Sequence, residues 1–416
     1  MKHKITEDNK DLLLIIIISV GVIAGVMSSS MINLVMDKIS VTFLTSLSTS
    51  FWRNTIFFTF FSVSLLFFGK VVDRNPAKKM YLIGIGIFIL SCVFSLISIL
   101  LKSFYFFLVT QALQGIADAI IVSAQMKLIR NIFPENKIGW TFGIFAATLS
   151  SSTLISPVVG AFITRYAHWS FIFVFQLVLA LFSFILGLKY IDEVKEINYL
   201  KKERRFFSLF QFFPEEIFTN KKYIFSCLRI FCLFFASNIF WMLAPSMLQV
   251  IYKLDLMTSA IIISANSLSV ILLAKKFGVL SDKDPVKCIL IGSISPILGI
   301  LFMLLAKPNS VFLIILAYIV LGISGAISMS ASNKVAMLSV KKENTGQCMG
   351  FFQFLQFSSG AVAASFISLM SHRDGSMDYS NWQFILYVII LIYIGTFIFS
   401  YFNRENFKIS QENLQS

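Results

Sequence analysis

Few ionisable side chains fall well inside the long apolar runs of this sequence, and Asp118 is the clearest of them. It lies about midway along the apolar run 105–127. An acid at the centre of such a run is costly in hydrocarbon, so it faces a cavity or a partner and is read first as functional. Gln111, Asp118 and Gln125 are spaced by seven, which puts them on one face of a helix; Gln114 is one turn from Asp118 on nearly the same side. A carboxyl group in that setting can take up and release a proton. If the face carrying Gln111 lines a cavity, Asp118 lines it too. The alternative is a packing acid held by Gln114 or a nearby serine.

Two further cations sit inside apolar runs. Arg53 follows Trp52 near one end of the second run, where it could meet an anionic substrate or pair with Asp118. An arginine beside a tryptophan more often snorkels to the membrane interface, and that is the expectation here. Arg229, a turn or two inside the seventh run, is expected to snorkel to the cytoplasmic side. Asn238, Trp241, Asn266 and Gln353 are plausible cavity-lining groups, although one polar residue per helix also commonly joins helices together.

Other chemistry is not encoded. There is no Walker loop, no HExxH and no GxSxG, so neither direct ATP use nor a hydrolase is expected. The five cysteines show no CxxC spacing and the three histidines are far apart in sequence. The cysteines read as small core residues, with no metal site and no cofactor. The protein is therefore not expected to be an enzyme.

Asp118 and its neighbours can act in this way only if helices carry them into a bilayer. The chain is 57% hydrophobic and only 13% charged, with a mean hydropathy of +0.82. Soluble domains are nearer one quarter charged, roughly. Lipid must therefore be the solvent for much of the surface. A crossing helix needs about 20 apolar residues. Twelve such runs lie near 12–36, 51–69, 80–102, 105–127, 140–164, 168–189, 223–250, 257–277, 288–306, 309–333, 347–371 and 382–402. The first is too long for a signal peptide, so it reads as a retained helix. An all-α membrane protein with about twelve transmembrane helices follows.

The basic residues test that count. Lys70, Arg74, Lys78 and Lys79 follow the second run, and Lys127, Arg130 and Lys137 the fourth. Lys275, Lys276, Lys283 and Lys287 follow the eighth, and Lys334, Lys341 and Lys342 the tenth. The intervening connections hold single cations such as Lys102 and Lys253. This alternation predicts both termini in the cytoplasm, in a plasma-membrane protein. The net charge of +14 is then orientation, not nucleic-acid binding, because the cations are scattered in short connections. The longest polar stretch, 191–222, includes KKERR at 201–205 and predicts a cytoplasmic linker between a half at 1–190 and a half at 223–416. Its basic-then-aromatic part, 204–213, suits either an interfacial segment or a solvated linker.

The two halves repeat. Gly69–Lys79 reads GKVVDRNPAKK and Gly278–Cys288 reads GVLSDKDPVKC. QGIADAIIVSAQMK at 114–127 and LGISGAISMSASNK at 321–334 share Gly, Ile, Ala, Ser, Ala and Lys at one offset, which pairs Asp118 with Gly325. PENKIGWTFG at 134–143 matches KENTGQCMG at 342–350, and WSFI at Trp169 matches WQFI at Trp382. Four matches in the same order predict two parallel six-helix copies, with a substrate path between them.

The Gly69–Lys79 segment resembles the signature of the major facilitator superfamily through Gly69, Asp73, Arg74, Lys78 and Lys79, with Asn75-Pro76-Ala77 departing from it. Nearly the whole chain shares the resemblance. It is most similar to drug and tetracycline proton antiporters, through the pattern of 243–282. Their fifth-helix exporter motif is matched by Ser152, Ser156, Pro157 and Gly160, with Ser or Ala at three glycine positions. The resemblance implies that Asp73 and Asp282, with Gly69, Arg74 and Gly278, latch the outward-facing state by meeting helix ends. Two family groups are replaced: Gln111 stands where an arginine is usual, and Ser28 where the first helix often has an acid.

The expectation is a secondary transporter that exports small amphiphilic molecules in exchange for protons. It would act as a monomer in the lipid bilayer, with a small-molecule substrate and protons as its partners. The alternatives are a carrier, in either direction, of one metabolite such as a metallophore, or a transporter-like sensor.

Overall fold

The computed structural model describes residues 7–132, 138–191, 215–306, 310–341, 345–370 and 379–407. The remaining residues include most of the 191–222 linker, so the basic cluster at 201–205 and the 204–213 segment lie outside the described residues.

Backbone N–H and C=O groups find no water in hydrocarbon, so a long apolar run satisfies them internally as a helix. Each of the twelve runs does so. In the first half these are α1 (Glu7–Leu34), α2 (Trp52–Arg74), α3 (Ala77–Leu100), α4 (Phe104–Ile132), α5 (Ile138–Tyr166) and α6 (Phe171–Tyr190). In the second half they are α7 (Lys221–Val250), α8 (Leu256–Lys283), α9 (Pro285–Leu305), α10 (Val311–Leu338), α11 (Thr345–Met370) and α12 (Tyr379–Phe402). Among the described residues there is no strand, and 11 stretches are long and apolar enough to cross a membrane; α5 supplies none of the 11. Short helices at Met36–Thr42, Leu47–Ser50, Glu216–Thr219 and Arg404–Phe407 join or extend these rods.

The Gly-x-x-x-Asp segments are helical. They are not tight turns: α2 runs on through Gly69 and Asp73 to Arg74, and α8 through Gly278 and Asp282 to Lys283. Nothing in either segment breaks a helix until Pro76 and Pro285, which cannot continue the preceding hydrogen-bond ladder. The residue that caps α9 is Asp284, whose carboxylate accepts from the Lys287 backbone N–H at 3.0 Å. The side chains of Asp73, Arg74 and Asp282, and the surroundings of Gly278, lie outside the described residues.

By contact the chain divides into two units, Met1–Thr45 with Ile56–Arg204, and Ser46–Thr55 with Arg205–Ser416. In the first, α1 packs on α5 and α6, and α3 on α4 and α6. In the second, α7 packs on α11 and α12, and α9 on α10 and α12, the same pairs six helices later. The duplication extends to single residues. A Cβ on Gly115 of α4 would lie 2.6 Å from the Phe57 carbonyl of α2, and one on Gly322 of α10 would strike the Asn266 carbonyl of α8. Lys127 and Lys334, the repeated lysines, each dock on the carboxyl end of a helix. Lys127 Nζ donates to Val72 O at 3.1 Å and Asn75 O at 2.8 Å, and Lys334 Nζ lies 3.5 Å from Ser281 O. An ammonium there meets the negative end of the helix dipole.

Each unit also has a buried polar tie. Tyr81 of α3 donates to Ile18 O of α1 at 2.9 Å and meets Ser183 Oγ of α6 at 3.0 Å. In the second unit the tie is Arg229, described below.

Candidate functional site

In the first unit the polar face of α4 turns inward, against α1, α3 and α6. Gln111 Nε2 donates to Ser95 Oγ of α3 at 3.3 Å. Gln114 Nε2 donates to Ser28 Oγ of α1 at 3.0 Å and to Gln176 Oε1 of α6 at 3.2 Å. Gln125 Nε2 reaches Ser19 Oγ of α1 at 3.5 Å. Between them Asp118, 6% exposed, rests its carboxyl group on Gly25 of α1. A larger residue would displace it: a Cβ at position 25 would lie 2.7 Å from Asp118 Cγ and 2.9 Å from Oδ2. Gln114 Oε1 and Gln176 Nε2 on one side of Asp118, and Gln125 Oε1 on the other, are buried without a hydrogen-bond partner among the described residues. Unsatisfied buried amides are rare and call for a reason.

The second unit holds a cavity of about 150 Å³ between α7, α8, α9, α10 and α12. Phe234, Phe240, Trp241 and Tyr393 form aromatic walls, and Ser237, Asn238, Asn266 and Ser324 bring polar groups. Ser237 Oγ and Tyr393 Oη are 2.9 Å apart, Asn238 Nδ2 donates to Ser359 Oγ at 3.3 Å, and Asn266 Nδ2 to Tyr318 O at 3.4 Å. Asn238, Trp241 and Asn266 therefore border one space. Gln353 does not; it is exposed on α11, while the buried amide of that helix is Gln356.

Both arginines depart from expectation. Arg53 is fully buried and its Nη1 donates to Asn54 Oδ1 at 2.9 Å, while the neighbouring Trp52 is the exposed one. Arg229 is 1% exposed. Its guanidinium donates to Ser400 Oγ at 3.2 Å, Ile289 O at 3.0 Å, Ser293 Oγ at 3.1 Å and Ser332 Oγ. It ties α7 to α9, α10 and α12 instead of reaching an interface. Snorkelling fails because three small hydroxyl residues on neighbouring helices leave room for the planar fork inside the bundle.

In α5, Gly160 lies against α1, where a Cβ would meet Met31 Cβ at 3.2 Å and Cγ at 3.0 Å. Ser152 and Ser156 are buried and bond back to Thr148 O and Thr153 O, at 2.8 Å and 3.5 Å; Pro157 lies inside the helix. The absent side chain of Gly160 lets α5 approach α1 closely.

The comparisons agree with this architecture. The family description Major Facilitator Superfamily matches residues 16–364. The chain belongs to the Major Facilitator Superfamily. It is a multi-pass membrane protein and a secondary transporter of a small molecule, not an enzyme. Within the superfamily it is similar to the riboflavin transporter RibZ of Clostridioides difficile, 21% identical over 95% of this chain and 98% of the relative. It is also similar to the tetracenomycin C resistance and export protein of Streptomyces glaucescens, 24% identical over 43% of this chain but only 32% of the relative. Among solved structures, the nucleoside transporter NupG superposes with a TM-score of 0.77 at 12% identity, covering 95% of this chain and 100% of that one. That likeness is one of fold.

Within this superfamily member, the seven-residue spacing marks the α4 face but not what that face touches. Gln176 had a signal, a lone amide in the apolar run of α6. Gly25 had none, because a glycine in a transmembrane run is ordinary until its neighbour is known.

Proposed function

We propose that the protein exports a small amphiphilic molecule in exchange for protons, with Asp118 as the coupling acid. The observation that carries this reading is the seat of the Asp118 carboxyl group on Gly25 of α1, one turn from Ser28. The exporters that the sequence resembles often place an acid at the position of Ser28. Here α4 brings a carboxyl group across to the same stretch of α1. Asp118 has no acidic counterpart in the second unit, where Gly325 stands, so it is not shared architecture. The open amide valences of Gln114 and Gln125 on α4 and of Gln176 on α6 support proton exchange at this acid.

In this reading both termini and the 191–222 linker are cytoplasmic and the membrane is the plasma membrane, which the lysine and arginine asymmetry supports. Asp73 and Asp282 latch the cytoplasmic side, and Lys127 and Lys334, docked on the same helix ends, hold the latch segments in place. The close contact of Gly160 with Met31 supports an exporter-type α5. A second reading, a carrier of one metabolite, is favoured by the end-to-end similarity to a riboflavin transporter.

Proton flux in everted vesicles tests both. Riboflavin and tetracenomycin C are the first compounds to add, followed by any compound against which the protein protects an efflux-deficient host. The expected result is substrate-dependent proton release that Asp118→Asn abolishes while downhill exchange of the substrate survives. Full pH-dependent accumulation by the Asn variant overturns the assignment and returns Asp118 to a packing role. Riboflavin movement without proton flux selects the metabolite carrier.

A further inference from the structure

The void in the second unit has a definite size and chemistry, and neither the coupling acid nor the latch uses it. Pockets that enclose a whole small ligand measure roughly 300–1,000 Å³. This one, at about 150 Å³, is half the smallest of those. It matches the engineered void of about 150 Å³ that accepts benzene in another protein. It therefore has room for one six-membered ring and not for a whole amphiphile.

We propose that this cavity is the subsite that takes a single uncharged aromatic ring of the transported molecule, and that Gly325 keeps its entrance open. The proposal rests on the transport reading above and adds a substrate class to it. The walls are aromatic and already held in place: Trp241 stands edge-on to Phe240 at 5.3 Å between centroids and meets Tyr318 at 5.5 Å. Fixed ring edges suit a flat aromatic guest, which prefers offset or edge-to-face contact. Asn238 and Asn266 border the space, and each amide donates through Nδ2 to a bundle partner at 3.3 or 3.4 Å. Each amide oxygen has two acceptor sites and can receive an O–H or N–H carried on the ring. Among the described residues, none that lines the cavity is charged. A carboxylate or ammonium entering it would lose its water without gaining a counter-ion, so charged rings are excluded.

Gly325 makes the space accessible. It borders the cavity, it is exposed, and a Cβ built on it meets nothing within 4 Å. The repeat pairs it with Asp118, whose side chain fills the corresponding place in the first unit by packing on Gly25. At this position the two copies have diverged, one toward an acid and one toward room. A side chain at that position would meet no obstruction, so close packing does not require the glycine.

The test is ligand-observed fluorine NMR of 4-fluorophenol with the purified full-length protein in detergent micelles. The parent should show saturable broadening that indole competes away, and 4-fluorobenzoate at neutral pH should show none. Gly325→Leu should weaken 4-fluorophenol binding by at least about tenfold, with Gly325→Ala in between. The Leu variant should also melt no lower than the parent, which establishes that the loss is not misfolding. Asp118→Asn, in the other unit, should bind 4-fluorophenol as the parent does, so the ring subsite and the coupling acid fail separately. Parental affinity in the Leu variant, absence of saturable binding by the parent, or equal binding of 4-fluorobenzoate would each overturn the proposal.

Discussion

Gly25→Ala should change the sign of its effect on stability according to what stands at position 118. The added Cβ would strike Asp118 Oδ1 and lie 2.7 Å from Cγ and 2.9 Å from Oδ2, whereas ordinary contact begins near 3.4 Å, so the carboxyl group has to retreat by about 1 Å. Asp118 is buried and its neighbours Gln114, Ser28 and Gln176 are hydrogen-bonded to one another, so the retreat is resisted. Overpacking of this kind costs about 1–3 kcal/mol. Alanine in place of glycine inside a helix recovers about 1 kcal/mol. The net effect of Gly25→Ala alone is therefore between zero and about 2 kcal/mol destabilising. In an Asp118→Ala background Cγ and both oxygens are gone, the obstruction vanishes, and the same substitution should stabilise by about 1 kcal/mol. Asp118→Asn keeps the volume and removes the charge, so Gly25→Ala in that background should behave as in the parent. Unfolding midpoints of the purified full-length proteins, compared at one pH, give the cycle. Its coupling energy should be about 1–3 kcal/mol. Additivity within about 0.5 kcal/mol would refute the seat of Asp118 on α1, and with it the basis for the coupling assignment.

Arg229→Lys should destabilise more than Arg229→Met. Lysine keeps a buried charge but loses the five-donor fork, which costs at least about 2 kcal/mol, while Ser293 and Ser400 already donate to their own helix carbonyls at 2.8 and 2.7 Å and are not orphaned by methionine. Thermal unfolding of the two variants ranks them, and a lysine variant at least as stable as the methionine one contradicts the account. Asp284→Ala should remove the cap of α9 and cost about 1 kcal/mol near neutral pH. The Lys287 backbone N–H holds the Asp284 carboxyl below its ordinary range, so this stabilisation is complete above about pH 4 and is lost as the pH falls through the folded value. The difference between parent and variant in an unfolding titration should therefore shrink as the pH falls below the ordinary carboxyl range, and a deficit that stays unchanged in strong acid would refute the capping role.

The helices were legible because hydrocarbon imposes them. Twelve apolar runs can satisfy their backbones in no other way, and each became a helix. The duplication was legible because matched positions keep matched contacts. Gly115 and Gly322 pair in the sequence and both admit a neighbouring helix backbone, and Lys127 and Lys334 pair and both dock on a helix carboxyl end. The α4 stripe could be drawn from seven-residue spacing alone, since 3.6 residues per turn places Gln111, Asp118 and Gln125 on one face.

What faces that stripe could not be drawn, because periodicity orders residues around one helix and carries no information about the next. That Asp118 meets Gly25, that Gln114 meets Gln176, and that Arg229 turns inward to three serines depend on which helices cross and at what height. The same holds for the cavity in the second unit. Asn238 and Asn266 are 28 residues apart and Tyr393 lies on the last helix, and only packing turns them into one wall. Composition and spacing determined that this chain would be a bundle of membrane helices in two copies with an acid in one of them. The tertiary structure decided what that acid touches and where the bundle leaves room, because side-chain volume is matched between helices and not along them.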